Sequence, residues 1–93
     1  MTLNQMFRRV ETFADDAITV RISMVGGELV ASVDFPTFQH GSGKIYRANA
    51  SRRLPVADAL STAVYVLPET PFSYVAVILD DKTTWQENWG TLI

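Results

Sequence analysis

A chain of 93 residues with 47% hydrophobic and 19% charged residues, no cysteine and a formal charge of −2 has length for one small globular domain spanning 1–93, because two separate cores need a longer chain. Lacking cysteine, it has neither disulfides nor thiolate-held metals to stabilise it, so the core must suffice alone or gain stability from a partner. The apolar run Val75 to Leu79 is far short of the ~20 residues that span a bilayer, and Met1-Thr2-Leu3-Asn4-Gln5 lacks the basic and apolar regions of a signal peptide. A cytoplasmic protein with no membrane partner is therefore expected.

The first predicted element is an amphipathic helix. Leu3, Met6, Phe7, Val10, Phe13 and Ala14 recur at three- and four-residue spacing, Thr2 and Gln5 form a capping-box pair, and Asp15-Asp16 end the helix against its negative pole. The period then falls to two. Ile18, Val20, Ile22 and Met24 alternate with polar residues, and after Gly26-Gly27 the alternation resumes at Leu29, Ala31, Val33 and Phe35, which predicts a β-hairpin with a two-residue turn. Pro36 closes it, Thr37 to Gly43 reads as a loop, and Lys44 to Ala50 as a third, more polar strand expected to turn Ile45, and with it Tyr46, inward.

A second helix is expected from Pro55, whose missing N–H suits a first helical position, and its stripe is Val56, Ala57, Leu60, Ala63, Val64 and Leu67. Pro68 stops it. Phe72 to Leu79 is apolar on both faces after its start, the pattern of a central strand. The tail admits two readings: a one-turn helix capped by Thr84 and Glu87 and ending at Gly90, or a strand alternating through Trp85, Glu87 and Trp89. Together these elements predict an α+β fold, a two-layer sandwich in which a mainly antiparallel sheet of about four strands carries two helices on one face, in the order α-β-β-β-α-β. Helices on one face alone would leave Tyr74, or Val75 and Val77, showing on the other, which makes a homodimer through that face a further expectation.

Candidate chemistry is sparse. His40-Gly41-Ser42-Gly43-Lys44 is glycine-rich with a lysine, but Phe38 stands where a P-loop has its first glycine and Ile45 where it has serine or threonine. His40 is the only histidine, so no multi-histidine metal site can form, and no strand-turn-helix nucleophile elbow carries a serine for it to activate. Asp80, Asp81 and Lys82 after a buried strand have the residue types of a magnesium-dependent nuclease, yet a second carboxylate would have to come from Asp34 or Glu87. The expectation is no catalytic residue, no metal and no cofactor; a small hydrolase or nuclease ranks third among the functional readings.

Charge says more when divided than when summed. Lys44, Arg47, Arg52 and Arg53 lie between 44 and 53 with no acid, whereas 54–93 holds five acids against one lysine. Arg52 and Arg53 precede the second helix, whose positive end adds to theirs and makes an anion-attracting corner. The order helix, three strands, helix, with Gly41-Ser42-Gly43 in a loop and the arginine pair at a helix start, resembles a double-stranded-RNA-binding domain in topology. Leu54-Pro55 and Asp58 stand where that family has a lysine cluster, so RNA binding is not carried over. Trp85 and Trp89, four apart, would make a pair of aromatic anchors if exposed.

The leading expectation is a non-enzymatic protein that acts by occupying a macromolecular partner, most readily another protein. In general build, small, acidic and cysteine-free, the chain is similar to phage- or mobile-element-encoded inhibitors of bacterial defence such as anti-CRISPR proteins. In that reading Asp15, Asp16, Asp80, Asp81 and Glu87 imitate phosphates, with Trp85 and Trp89 as anchors. The alternative is a nucleic-acid-binding module that uses Lys44, Arg47, Arg52 and Arg53.

Overall fold

The computed structural model describes residues 6–39, 42–80 and 83–93. Eight strands appear in chain order: β1 Met6–Arg9, β2 Ile18–Val25, β3 Glu28–Phe35, β4 Phe38–Gln39, β5 Ile45–Tyr46, β6 Asn49–Ala50, β7 Val75–Leu79 and β8 Thr91–Leu92. One α-helix, α1 Val56–Val66, and two short 3-10 turns, Leu67–Glu69 and Glu87–Trp89, complete the described secondary structure. Six strands form one sheet in the order β6-β3-β2-β7-β1-β8, while β4 and β5 pair separately. The result is a compact α+β arrangement with a Cα radius of gyration of 12.9 Å, and no described helix is long and apolar enough to cross a membrane.

The hairpin forms where the alternation places it. Val25 pairs with Glu28 across Gly26 and Gly27, whose φ angles of 59° and 83° are both positive. Only glycine adopts two such angles in succession at no steric cost, so this turn sets the register of the longest ladder in the sheet.

Among the described residues the predicted N-terminal helix is not formed. Met6 to Arg9 is a strand, with Phe7 1% exposed and Met6 62% exposed, an alternation of period two. Its backbone satisfies both edges, pairing with β7 through Arg8 and Arg9 and with β8 through Met6 and Phe7. Without it, the apolar β7 would present a bare row of N–H and C=O groups. The Thr2–Gln5 cap lies outside the described residues.

The expected mainly antiparallel sheet of about four strands is instead mixed and six-stranded. β7 runs parallel to β2 and to β1, and β8 parallel to β1, while the β2–β3 and β3–β6 pairs are antiparallel. A hairpin joins β2 and β3, but the chain reaches β7 only after α1 has crossed the sheet, and such a crossover returns a strand in the same direction. β7 is central, as its composition predicts. The expected third strand over 44–50 splits into β5 and β6, and only β6 joins the main sheet.

α1 packs on β3 and β2 through Val56, Ala59, Leu60 and Ala63, over a core built from Phe7, Ile18, Val20, Ile22, Val33, Val75 and Val77. Val75 and Val77 therefore lie under the helix. The opposite face carries Arg8, Thr19, Arg21, Ser32, Asp34, Ala76 and Ile78, residues one register step away. The loop after β1 crosses part of that face. Ala14 donates its N–H to Thr19 Oγ1 at 3.4 Å and Tyr74 Oη donates to Asp16 at 2.9 Å, and both Thr19 and Ala76 are buried. The tail takes the one-turn form, a 3-10 turn ended by Gly90 at φ 126°, followed by β8.

Candidate functional site

After β3 the chain leaves the sheet at Pro36, which has no N–H to extend a ladder. It returns at Asn49, and between these points it forms an arm. Phe38 pairs with Tyr46 and Gln39 with Ile45, while at the base Ala48 N–H donates to Thr37 Oγ1 at 2.9 Å. The arm is tied to the body by aromatic contacts. Phe38 stacks on Tyr46 with ring centroids 5.2 Å apart and meets Phe72 edge-on at 5.6 Å, and Phe72 packs against the main core.

The arm shows two large apolar side chains to solvent. Ile45 is 65% exposed and Tyr46 41% exposed. With Phe35, Phe38 and Val66 they line a groove of about 580 Å³, flanked by Lys44, Arg47 and Glu69. Lys44 Nζ lies 5.0 Å from the centroid of the Tyr46 ring. The groove thus has an apolar floor, with two cations and one carboxylate on its rim.

The basic residues fall into two groups. Lys44 and Arg47 belong to the arm, whereas Arg52 and Arg53 lie farther along the same edge, where Leu54 bridges to Ala31. The helix start they were expected to reinforce has Pro55 as its cap, with no side-chain hydrogen bond.

The acids do not share one surface. Asp80 closes β7 and is held by Arg21 Nε at 3.1 Å and by the hydroxyl of Ser23. That hydroxyl bond, followed by the guanidinium, keeps its carboxyl below the usual range despite some desolvation. Asp16 accepts from Tyr74 at the opposite end of β7, roughly 20 Å of strand away. The same bond pushes the Tyr74 phenol up, and Arg8 stacks 4.2 Å over its ring. Asp15 lies near Thr19 and Asp34; Glu87 sits in the last 3-10 turn; Asp81 is outside the described residues. Asp34, half-buried on the open face, has its carboxyl pushed up by desolvation, with Arg21 opposing.

The tryptophans turn inward. Trp89 is 6% exposed, and Trp85 is half-buried between Phe7 at 5.6 Å and Trp89 at 5.2 Å, its Nε1 donating to the Gly90 carbonyl. The exposure that would make them paired anchors is not met by Trp89, because the open end of the core beside β1 and β8 needs a large ring to close it.

His40 and Gly41 lie outside the described residues, while Ser42 is exposed near the tip of the arm. Among the described residues no group of three or more histidine, aspartate or glutamate side chains is arranged to hold a metal. Ile45 and Tyr46, expected to pack inward, are instead exposed, because β5 pairs only with β4 and stays outside the main sheet. Phe38, which ties the arm to the body, is not singled out in the sequence reading. The signal was present: two aromatic residues, Phe38 and Tyr46, flank a glycine-containing stretch that begins just after a strand-ending proline.

Comparison of the chain with protein-family models, curated proteins and solved structures returns no match.

Proposed function

We propose that this is a non-enzymatic binding protein whose contact surface is the arm, and that it holds a protein segment carrying acidic residues beside an apolar anchor. The observation that carries this reading is the groove between arm and helix, where exposed Ile45 and Tyr46 adjoin Lys44 and Arg47. An apolar anchor would displace water from Ile45, Phe35 and Val66, while the two cations select against basic partners and speed encounter with acidic ones. Nucleic acid fits this groove less well. Phe38 stacks on Tyr46 and the Lys44 ammonium also sits over that ring, which leaves little π surface for a base, and aliphatic Ile45 and Val66 offer none.

The test uses a library of random peptides displayed on phage, selected on the intact chain. Enriched sequences should combine acidic residues with an aromatic or aliphatic anchor, and Ile45→Asp or Lys44→Glu should abolish their binding while circular dichroism stays unchanged. Selection of basic peptides, or binding that survives Ile45→Asp, overturns the reading. So does retention of single-stranded oligonucleotides in place of peptides.

A further inference from the structure

The sheet edge beyond β6 departs from regular pairing in an informative way. Ser51 donates its N–H to the Val33 carbonyl at 2.9 Å, and Leu54 exchanges two backbone bonds with Ala31 at 2.8 and 2.7 Å. Between these pairs β3 has one residue, Ser32, and the facing chain has two, Arg52 and Arg53. Two residues against one is a β-bulge, a device that disrupts the ladder locally and re-aims a side chain. Ser51 Oγ compensates for the disruption: it accepts the Val33 N–H at 2.9 Å and donates to the Arg52 carbonyl at 2.8 Å.

The consequence is where Arg53 ends up. It lines a groove of about 510 Å³ shared with Arg21, Ser23, Ser32 and Asp80, walled on one side by Val30 and Val25. Arg21 and Ser32 are direct cross-strand partners. Asp80 engages Arg21 through Nε alone, at 3.1 and 3.2 Å, so it fixes the guanidinium while leaving the terminal N–H groups unpartnered among the described residues. Arg53 and the Ser32 hydroxyl likewise have no partner there. Two guanidiniums and one carboxylate line the groove, and Asp34 on the same face and Glu11 beside Arg21 lie outside its lining.

We propose that this groove is an oxyanion site for the phosphate group of a phosphate monoester, held between Arg21 and Arg53 with Ser32 donating a further bond. Paired guanidiniums match the tetrahedral oxygens as charge-assisted donors, which a lysine pair does less well. Val25 and Val30 would take a small apolar group esterified to the phosphate. This site is separate from the arm, and its ligand does not depend on what the arm binds.

The experiment is a titration of the full chain with inorganic phosphate and, separately, phenyl phosphate, followed by two-dimensional amide NMR. Saturable shifts are expected at Ser32 and Arg53, with a dissociation constant on the order of 1 mM for phosphate and tighter for phenyl phosphate. Arg53→Gln should weaken binding about tenfold, since a hydrogen bond to a charged group is lost, and Lys44→Glu should leave it unchanged. Absence of saturable shifts overturns the site. Equal weakening by Arg53→Gln and Lys44→Glu does so too, because it reports general charge screening, and phenyl phosphate binding no tighter than phosphate removes the ester from the proposal.

Discussion

Truncating Met6 and Phe7 one at a time separates the observed strand from the amphipathic helix that the spacing predicts. A helix over 3–14 sets both residues on its apolar face, so each truncation would cost a similar amount. In the strand they point to opposite faces: Phe7 is 1% exposed with its ring 5.6 Å from Trp85, while Met6 is 62% exposed. Phe7→Ala removes a buried ring and leaves a cavity, at about 3–5 kcal/mol, out of a total stability of roughly 5–15 kcal/mol. Met6→Ala, at an exposed site, should cost no more than about 0.5 kcal/mol. For a chain of this size the difference moves Tm by at least ~10 °C, at about 4–8 °C per kcal/mol. Urea unfolding measures it, followed by far-ultraviolet circular dichroism because Trp85 touches Phe7 and its fluorescence would respond to the substitution itself. The midpoint should fall for Phe7→Ala with the slope m unchanged. Phe13, 48% exposed but on the helix stripe, supplies a third comparison. Similar losses at Met6, Phe7 and Phe13 would refute the strand.

Two carboxylates should give opposite pH signatures. Asp80 has a folded pKa below its ordinary 3.8, so its contribution is fully present above that value and is lost as pH falls through the lower folded pKa. Asp80→Asn should therefore flatten the acid limb of the stability curve, and an unchanged limb counts against the Ser23–Asp80–Arg21 contacts. Asp34 has a folded pKa above 3.8, so wild-type stability falls as pH rises from there through the raised value, and Asp34→Asn should remove that fall. At the hairpin, Gly27→Ala meets no atom within 4 Å but must adopt φ 83°, so a loss of about 1–2 kcal/mol on melting is expected from backbone strain alone. A loss near zero would mean that the turn had changed type.

Much of the fold is legible because local rules govern it. The Gly26-Gly27 turn, the alternation on either side of it, the Pro55 start of α1 and the central place of β7 all follow from φ preference, periodicity and composition. The segment 6–14 misleads because Met6, Phe7, Val10 and Phe13 fit a period of 3.6 while Met6 to Arg9 also fits a period of two, and four residues cannot decide between them. Partners decide instead: β7 and β8 offer hydrogen bonds on both sides of β1, which a helix would leave unused. The candidate sites are less legible than the fold. Lys44, Arg47, Arg52 and Arg53 read as one basic run, yet the arm takes two of them and the bulge opposite Ser32 re-aims a third.

The sequence by itself determined the hairpin, the helix that follows Pro55, the apolar central strand and the separation of basic from acidic residues, since each rests on neighbours close in the chain. That this helix is a crossover returning β7 parallel to β2 was decided by the tertiary structure. Only the tertiary structure decided that Met6–Arg9 pairs as a strand, that Trp89 closes the core, that Asp80 is neutralised by Arg21 and that Ile45 stands in solvent. Each of those outcomes depends on contacts between residues far apart in the chain, whose free energies no local pattern encodes.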